Sequence, residues 1–270
     1  MLAFDSVVAV VPARRPDIVS ARLDGKVAIV TGGAGGIGRA YCLGLASLGC
    51  AVAVADVADP QPVADEVQAS GGRAISVRVD VSDPAATQDM ARRVTDSLGR
   101  IDVLINNAAY YLTLTQGPFE DIPEMEWDRA FAVNVRGPWL CSRAVYPMMK
   151  SGRSGKIINV SSTTVWDGTT GFIHYVATKA AMLGFSRALA REVGPFGIAV
   201  NTVTPDYTPH NAEFVGRQAA DLDDIITARR CFKRSQRPDD MVGLVLFLSG
   251  PDSDHITGQN FLVNGGGVFQ

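Results

Sequence analysis

Val27-Ala28-Ile29-Val30-Thr31-Gly32-Gly33-Ala34-Gly35-Gly36-Ile37-Gly38-Arg39 reads as three things in succession. Four consecutive apolar residues suit a strand buried on both faces of a parallel sheet. The glycine run suits a tight turn, and the pattern from Ile37 to Leu48 suits a helix. In that context glycines let the main chain approach a pyrophosphate, which rests on the helix N-terminus and its positive dipole end. Two glycine registers compete. Gly33, Gly35 and Gly38 fit Gly-x-Gly-x-x-Gly, whereas Thr31, Gly32, Gly36 and Gly38 fit Thr-Gly-x-x-x-Gly-x-Gly. The second is preferred because Gly32 directly follows the strand.

Outward from this turn the chain alternates strand and helix. Short apolar runs at Ala51–Ala55, Ala74–Val79, Val103–Ile105, Lys156–Asn159, Ile198–Val203 and Phe261–Val263 read as further strands. Between them lie helical patterns at Val63–Ala69, Pro84–Leu98, Trp127–Met149, Tyr175–Val193 and Asp239–Leu248. Such alternation gives right-handed βαβ units. The expected fold is α/β: a single doubly wound (Rossmann) domain, with about seven parallel strands and helices on both faces. It spans residues 23–270, and residues 1–22 are expected to form a poorly ordered tail.

Length 270 and 47% apolar residues allow one sizeable core. The formal charge of −3, with no run of five like charges, asks for neither nucleic acid nor an anionic membrane. No apolar run approaches the ~18 residues of a membrane span. Val7–Val11 is preceded by Asp5 and followed by Arg14-Arg15, the wrong order for a secretory signal. Cys42, Cys50, Cys141 and Cys231 are scattered, as are His174, His210 and His255. No metal site is expected, and free buried thiols in a cytoplasmic protein are the simplest reading.

Chemistry collects where strands end. Asp56 closes the second strand, eighteen residues beyond Gly38, where an acid accepts from a ribose 2′-hydroxyl and repels a 2′-phosphate. An ordinary helix-cap aspartate would look similar. Neither Gly35 nor Val57 offers a base for a 2′-phosphate, so the expected cofactor is NAD. Asp80-Val81 closes the third strand, where the carboxylate either meets the adenine amine or simply ends the strand. Asn106-Asn107-Ala108-Ala109 follows the fourth. Asn134 lies mid-helix, where asparagine has poor propensity and needs a reason. Ser162 follows the fifth strand, thirteen residues before Tyr175. Tyr175 and Lys179, four apart, share a helix face. A nearby ammonium favours the phenolate and lowers the tyrosine pKa, making the pair a proton donor and acceptor suited to alcohol–carbonyl interconversion.

On these motifs residues 23–267 resemble the short-chain dehydrogenase/reductase family. Thr31, Gly32, Gly36 and Gly38 match its cofactor motif, and Asn106–Ala109 its Asn-Asn-Ala-Gly motif, with Ala109 a departure. Asn134, Ser162, Tyr175 and Lys179 match its catalytic tetrad. The segment Ser162-Thr163-Thr164, Trp166 and His174-Tyr175 is similar to the NAD-dependent 1-phenylethanol dehydrogenase branch. The resemblance implies that Ser162 orients the substrate oxygen and Tyr175 exchanges its proton. Lys179 would tune the tyrosine and bind the nicotinamide ribose, and Asn134 would hold a water linking Lys179 to solvent. Cofactor contacts are expected from Thr31, Gly32, Gly36, Ile37, Gly38, Asp56, Asp80, Val81, Asn107, Ala108, Tyr175, Lys179, Pro205 and Thr208. Three further departures stand out: Asp206 follows Pro205 where the family usually has glycine, His210 replaces a threonine that touches the nicotinamide amide, and Asn264 replaces aspartate. Thr208 is the candidate substitute for that threonine.

Residues 205–237 form a long connection with one modest helical pattern near Leu222–Arg230, read as a substrate lid. Tyr110, Tyr111, Thr164, Trp166, Phe172, Tyr207 and Phe214 are the candidate pocket. Aromatic walls, with no arginine or lysine in Tyr110–Gln116 or Ser161–Tyr175, suit a compact aryl or alicyclic secondary alcohol or its ketone. A cis-dihydrodiol dehydrogenase, a 3-oxoacyl thioester reductase and a non-catalytic NAD sensor are the alternatives. Helix Tyr175–Val193 is apolar nearly all round, which together with Trp127–Met149 implies subunit packing; the resemblance suggests a homotetramer.

Overall fold

The computed structural model describes residues 23–111, 113–209 and 217–270, with the side chains of 217–220 excepted. The expected tail, His210 and Phe214 lie outside the described residues. The first strand and helix are β1 (Val27–Thr31) and α1 (Gly36–Ser47), followed by β2 (Ala51–Asp56), α2 (Gln61–Ala69), β3 (Ala74–Arg78), α3 (Pro84–Leu98) and β4 (Val103–Asn106). The second half adds α4 (Glu124–Phe131), α5 (Gly137–Gly152), β5 (Gly155–Val160), α6 (Thr164–Asp167), α7 (Ile173–Val193), β6 (Ile198–Pro205), α8 (Arg217–Arg229), α9 (Asp239–Ser249) and β7 (Asn260–Val263).

The seven strands are parallel in the order β3-β2-β1-β4-β5-β6-β7. Successive residues of β1 feed opposite cores: Val27 and Ile29 pack with α3, α5 and α7, while Ala28 and Val30 pack with α1, α2 and α9. This double burial explains why the strands read as continuous apolar runs. The order reverses between β1 and β4, and the crevice at their carboxyl ends is where such sheets bind ligands.

Local signals set the helix ends. Asp83 caps α3 by accepting from the Ala85 and Ala86 amides, and Gly99 at φ 85° ends it. The expected helix Trp127–Met149 runs unbroken, but five residues within it, Ala132–Arg136, form a π-turn between α4 and α5. The short α6, ended by Gly168 at φ 60°, had no sequence signal. Cys42, Cys50 and Cys141 are buried free thiols, but Cys231 is exposed, against expectation, because it lies in the turn after α8. Burial pushes the Cys50 and Cys141 thiols up to about 12, so neither is a nucleophile at neutral pH.

Candidate active site

The turn after β1 sorts its glycines by conformation and by space. Gly32 and Gly36 have φ of 66° and 52°, a region that L side chains rarely adopt. A Cβ on Gly38 would stand 2.0 Å from the Gly32 carbonyl oxygen. At Gly35 nothing lies within 4 Å, while a Cβ on Gly33 would stand 3.0 Å from the Val30 carbonyl oxygen; positive φ at Gly32 and Gly36 is what sets the Thr-Gly-x-x-x-Gly-x-Gly register apart. No side chain caps the first turn of α1, and its amides remain available to a phosphate. The residues present therefore fit a dinucleotide.

Thr31 and Asn107 act mainly by building this turn. The Thr31 hydroxyl donates to the Ile105 carbonyl (3.2 Å) and accepts from the Asn107 and Ala108 amides (3.0 and 3.2 Å). The Asn107 side chain donates to the Thr31 and Gly32 carbonyls at 3.1 and 3.0 Å. Asp56 accepts from the Ala34 amide at 3.0 Å, which places its carboxylate beside the glycine turn. Asp80 is committed to protein partners: one oxygen accepts from the Ser82 amide and hydroxyl, the other from Arg129 at 3.0 Å. Burial acts to raise the Asp80 pKa, but these bonds outweigh it and hold the group below its ordinary value. Val81 turns its side chain into the core, where it would meet any Cβ added to Gly137. Ile37 is half-buried against the core beside α1.

The tetrad residues converge at the ends of β4 and β5. Asn134 sits in the π-turn, which supplies the reason sought for a mid-helix asparagine. Its oxygen accepts from the Tyr110 amide (2.7 Å), and its nitrogen donates to the Tyr110 carbonyl (3.2 Å) and Thr178 hydroxyl (3.1 Å). Thr178 in turn donates to the Tyr175 carbonyl at 2.7 Å. The Lys179 ammonium donates to the Val160 carbonyl (2.9 Å), and the Ser161 hydroxyl donates to the Lys179 carbonyl (2.8 Å). Ser162 accepts from the Thr164 amide and hydroxyl at 3.3 and 3.1 Å.

Electrostatics correct one expectation. Tyr175 and Lys179 are 8% and 3% exposed. Burial, more than their mutual field, sets their titration. It pushes the Tyr175 hydroxyl above its ordinary range, with the Tyr111 hydroxyl adding to the rise and the Ser162 hydroxyl opposing it. It pushes Lys179 down to about 8. The Lys179 nitrogen stands 5.6 Å from the Tyr175 ring centroid.

Of the expected pocket, Tyr111, Phe172 and Tyr175 are brought together. The Tyr111 ring lies 4.9 Å from Tyr175 and 6.1 Å from Phe172. Tyr110 packs on the same cluster, with Leu114 and Ala130 beneath. Trp166 is half-buried on α6, and Tyr207 is half-buried just after β6. Pro205 ends β6 with its carbonyl accepting from the Thr163 amide, and the buried Thr208 donates to the Asp206 carbonyl. Sequence reading missed Glu126, which holds His174 at 2.9 Å and both the amide and the hydroxyl of Thr115. It also missed a buried ladder beneath the site: Asn106 donates to Asn159 and Asn159 to Ser186, which also accepts from Thr202. Polar residues interrupting otherwise apolar strands were the available signal.

The fold and site together define a dinucleotide-dependent oxidoreductase. The family model described as Enoyl-(Acyl carrier protein) reductase matches residues 32–267. The chain belongs to the short-chain dehydrogenase/reductase family and is an oxidoreductase acting on CH–OH groups. It is 34% identical to the (2S)-[(R)-hydroxy(phenyl)methyl]succinyl-CoA dehydrogenase subunit BbsD of Thauera aromatica, over 90% of this chain and 97% of that one. It is also 34% identical to the 3-oxoacyl-[acyl-carrier-protein] reductase FabG of Staphylococcus epidermidis, over 89% and 98%. Among solved structures, a putative NAD(P) dependent gluconate 5-dehydrogenase from Beutenbergia cavernae, with NADP bound at low occupancy, superposes with TM-score 0.84. That protein is 33% identical, with 91% of this chain and 97% of the other covered.

Proposed function

We propose that the protein interconverts a compact aryl or alicyclic secondary alcohol and its ketone, using NAD. The observation that carries this reading is the packing of Tyr111 and Phe172 around the buried Tyr175, with the buried Ser162 hydroxyl acting to lower its pKa. A polar pair at the foot of an aromatic enclosure suits a carbinol carbon bearing a ring. The nicotinamide cofactor, when bound, accepts or supplies the hydride.

The chain's own groups do the rest. Ser162 holds the substrate oxygen in line. Tyr175 takes the hydroxyl proton during oxidation and returns it during reduction. Lys179, anchored on Val160, steadies the phenolate and the nicotinamide ribose. Because its side chain is committed to Tyr110 and Thr178, Asn134 locks α7 against the loop after β4, and the water-holding role falls to its main chain. Asp56, beside Ala34, favours the 2′-hydroxyl of NAD over the 2′-phosphate of NADP. Residues 205–237, of which 210–216 lie outside the described residues, serve as the substrate lid of a domain running from 23 to 270. The exposed Trp127 and Trp139, with the half-buried Val176, Leu183 and Phe185 of α7, supply apolar surface for a homotetramer.

A 3-oxoacyl thioester reductase is the second reading, favoured by the name of the Staphylococcus epidermidis relative. The Thauera aromatica relative's name joins a hydroxy(phenyl)methyl group, a benzylic secondary alcohol, to a CoA thioester. The test is kcat/KM for 1-phenylethanol and cyclohexanol against a 3-hydroxyacyl thioester, a sugar alcohol and a 2-hydroxy acid, each with NAD and NADP. The account expects the first two substrates and NAD to win. A thioester win would transfer the pocket to the second reading.

A further inference from the structure

The turn after β6 holds a buried ion pair. Arg230 and Asp206 are 1% and 9% exposed, and the guanidinium Nε donates to Asp206 Oδ2 at 2.9 Å. The rest of the arginine fork reaches two main-chain carbonyls, Tyr207 at 2.7 Å and Arg234 at 3.1 Å. Three acceptors around one planar group is a geometry that lysine cannot supply. The second carboxylate oxygen, Oδ1, accepts from the Thr163 hydroxyl at 2.9 Å and the Tyr207 amide at 2.7 Å. The Asp206 amide donates to Gln236, which donates onward to the Val263 carbonyl.

These partners lie in separate parts of the chain. Asp206 opens the segment 205–237, while Arg230 and Arg234 lie near its close. Thr163 directly follows Ser162. The C-terminal loop seals the pair: a Cβ on Gly267 would stand 3.2 Å from Asp206 Oδ2, and one on Gly266 would meet Cys231 Sγ at 2.6 Å. A buried charge pair is poor at adding net stability, because desolvation offsets most of its attraction. What it offers is one fixed geometry.

We propose that Asp206 and Arg230 are positioning residues, a buried clasp that draws both ends of the lid together and fastens them, through Thr163, to the loop bearing Ser162. A glycine at 206, the residue usual in the family, has no side chain to make this fastening. Here residues 206–207 and 230–234 are therefore held in a fixed register relative to the serine, as a preset edge of the substrate site. The idea rests on reading 205–237 as the lid and Ser162 as the substrate-facing hydroxyl.

Changing either residue alone strands a buried charge and confounds folding with function. The decisive variant is Asp206→Ala together with Arg230→Met in the full chain. Amide hydrogen exchange should quicken by about 10-fold or more in 162–168 and 217–229, with β1–β5 unchanged. With the best alcohol substrate, KM should rise about 10- to 100-fold while kcat changes less and cofactor affinity stays within about 2-fold. A residue serving stability alone would lower the melting temperature without splitting KM from kcat. Wild-type exchange in 162–168, or an unchanged KM, would overturn the clasp. The exchange arm needs no substrate, so it decides the clasp even if the alcohol panel shows no turnover.

Discussion

The turns after β1 and β6 sit on the same carboxyl edge and solve opposite problems. After β1 the chain recruits backbone: glycines at 32 and 36 in the left-handed region, and a helix start left uncapped. After β6 it recruits charge, with Asp206 and Arg230 buried against Thr163 and two glycines of the C-terminal loop, Gly265 and Gly267. The first turn cannot tolerate an added atom at Gly32 or Gly38, whereas the second cannot tolerate a lone removal. On the proposed reading, a site for a constant dinucleotide is thus built by exclusion, and a site for a variable substrate by a specific side-chain network.

The sharpest way to break this contrast is Gly38→Val. Its Cβ would fall 2.0 Å from the Gly32 carbonyl, where backbone must move. Dinucleotide affinity, followed by quenching of intrinsic fluorescence, should fall roughly 100-fold or more, since this close approach positions the phosphate amides. The Asp206→Ala/Arg230→Met pair should leave the same affinity nearly unchanged. A folded Gly38→Val protein with ordinary affinity would show that the turn is not the phosphate site.

Much of the first turn was legible because its logic is local. β1, its glycines and α1 were placed to within a residue, and α3 to its ends, because capping and patterning lie in neighbouring positions. The π-turn at Ala132–Arg136 was not legible, since it changes the hydrogen bonding without removing the apolar pattern; only Asn134 hinted at it. Asp206 was visible as a departure from the family's glycine. Its meaning needed Arg230, twenty-four residues away, and Thr163, forty-three away, contacts that only tertiary structure brings together. The titration of Tyr175 and Lys179 was misjudged for the same reason: spacing shows which charges are near, but burial decided the outcome.

Lys179 sharpens the contrast with a third kind of group, a charge held for chemistry. Its folded pKa of about 8 lies below the ordinary 10.5, so the folded state disfavours the ammonium. The cost is full below pH 8 and is relieved as pH rises from about 8 to 10.5. Lys179→Met should therefore gain stability relative to wild type at pH 7, and lose roughly 2–3 kcal/mol of that relative gain by pH 10.5. Urea midpoints of both proteins across this range check it. A difference that does not vary with pH would mean that the lysine is not desolvated.

A smaller effect is expected at Asp56. Asp56→Ser with Val57→Arg should move the NAD:NADP preference in kcat/KM by about 10-fold or more toward NADP, by removing a repelling carboxylate and adding a base. An unmoved ratio would place the ribose elsewhere.

The central claim is that Tyr175 exchanges the substrate proton. Its most direct test is the turnover of Tyr175→Phe with the alcohol that wild type oxidises best, measured beside cofactor affinity and melting temperature. The account predicts turnover lower by about 100-fold or more, with dinucleotide binding and stability retained because the ring and its packing on Tyr111 and Phe172 remain. Turnover close to wild type in the folded variant would contradict it.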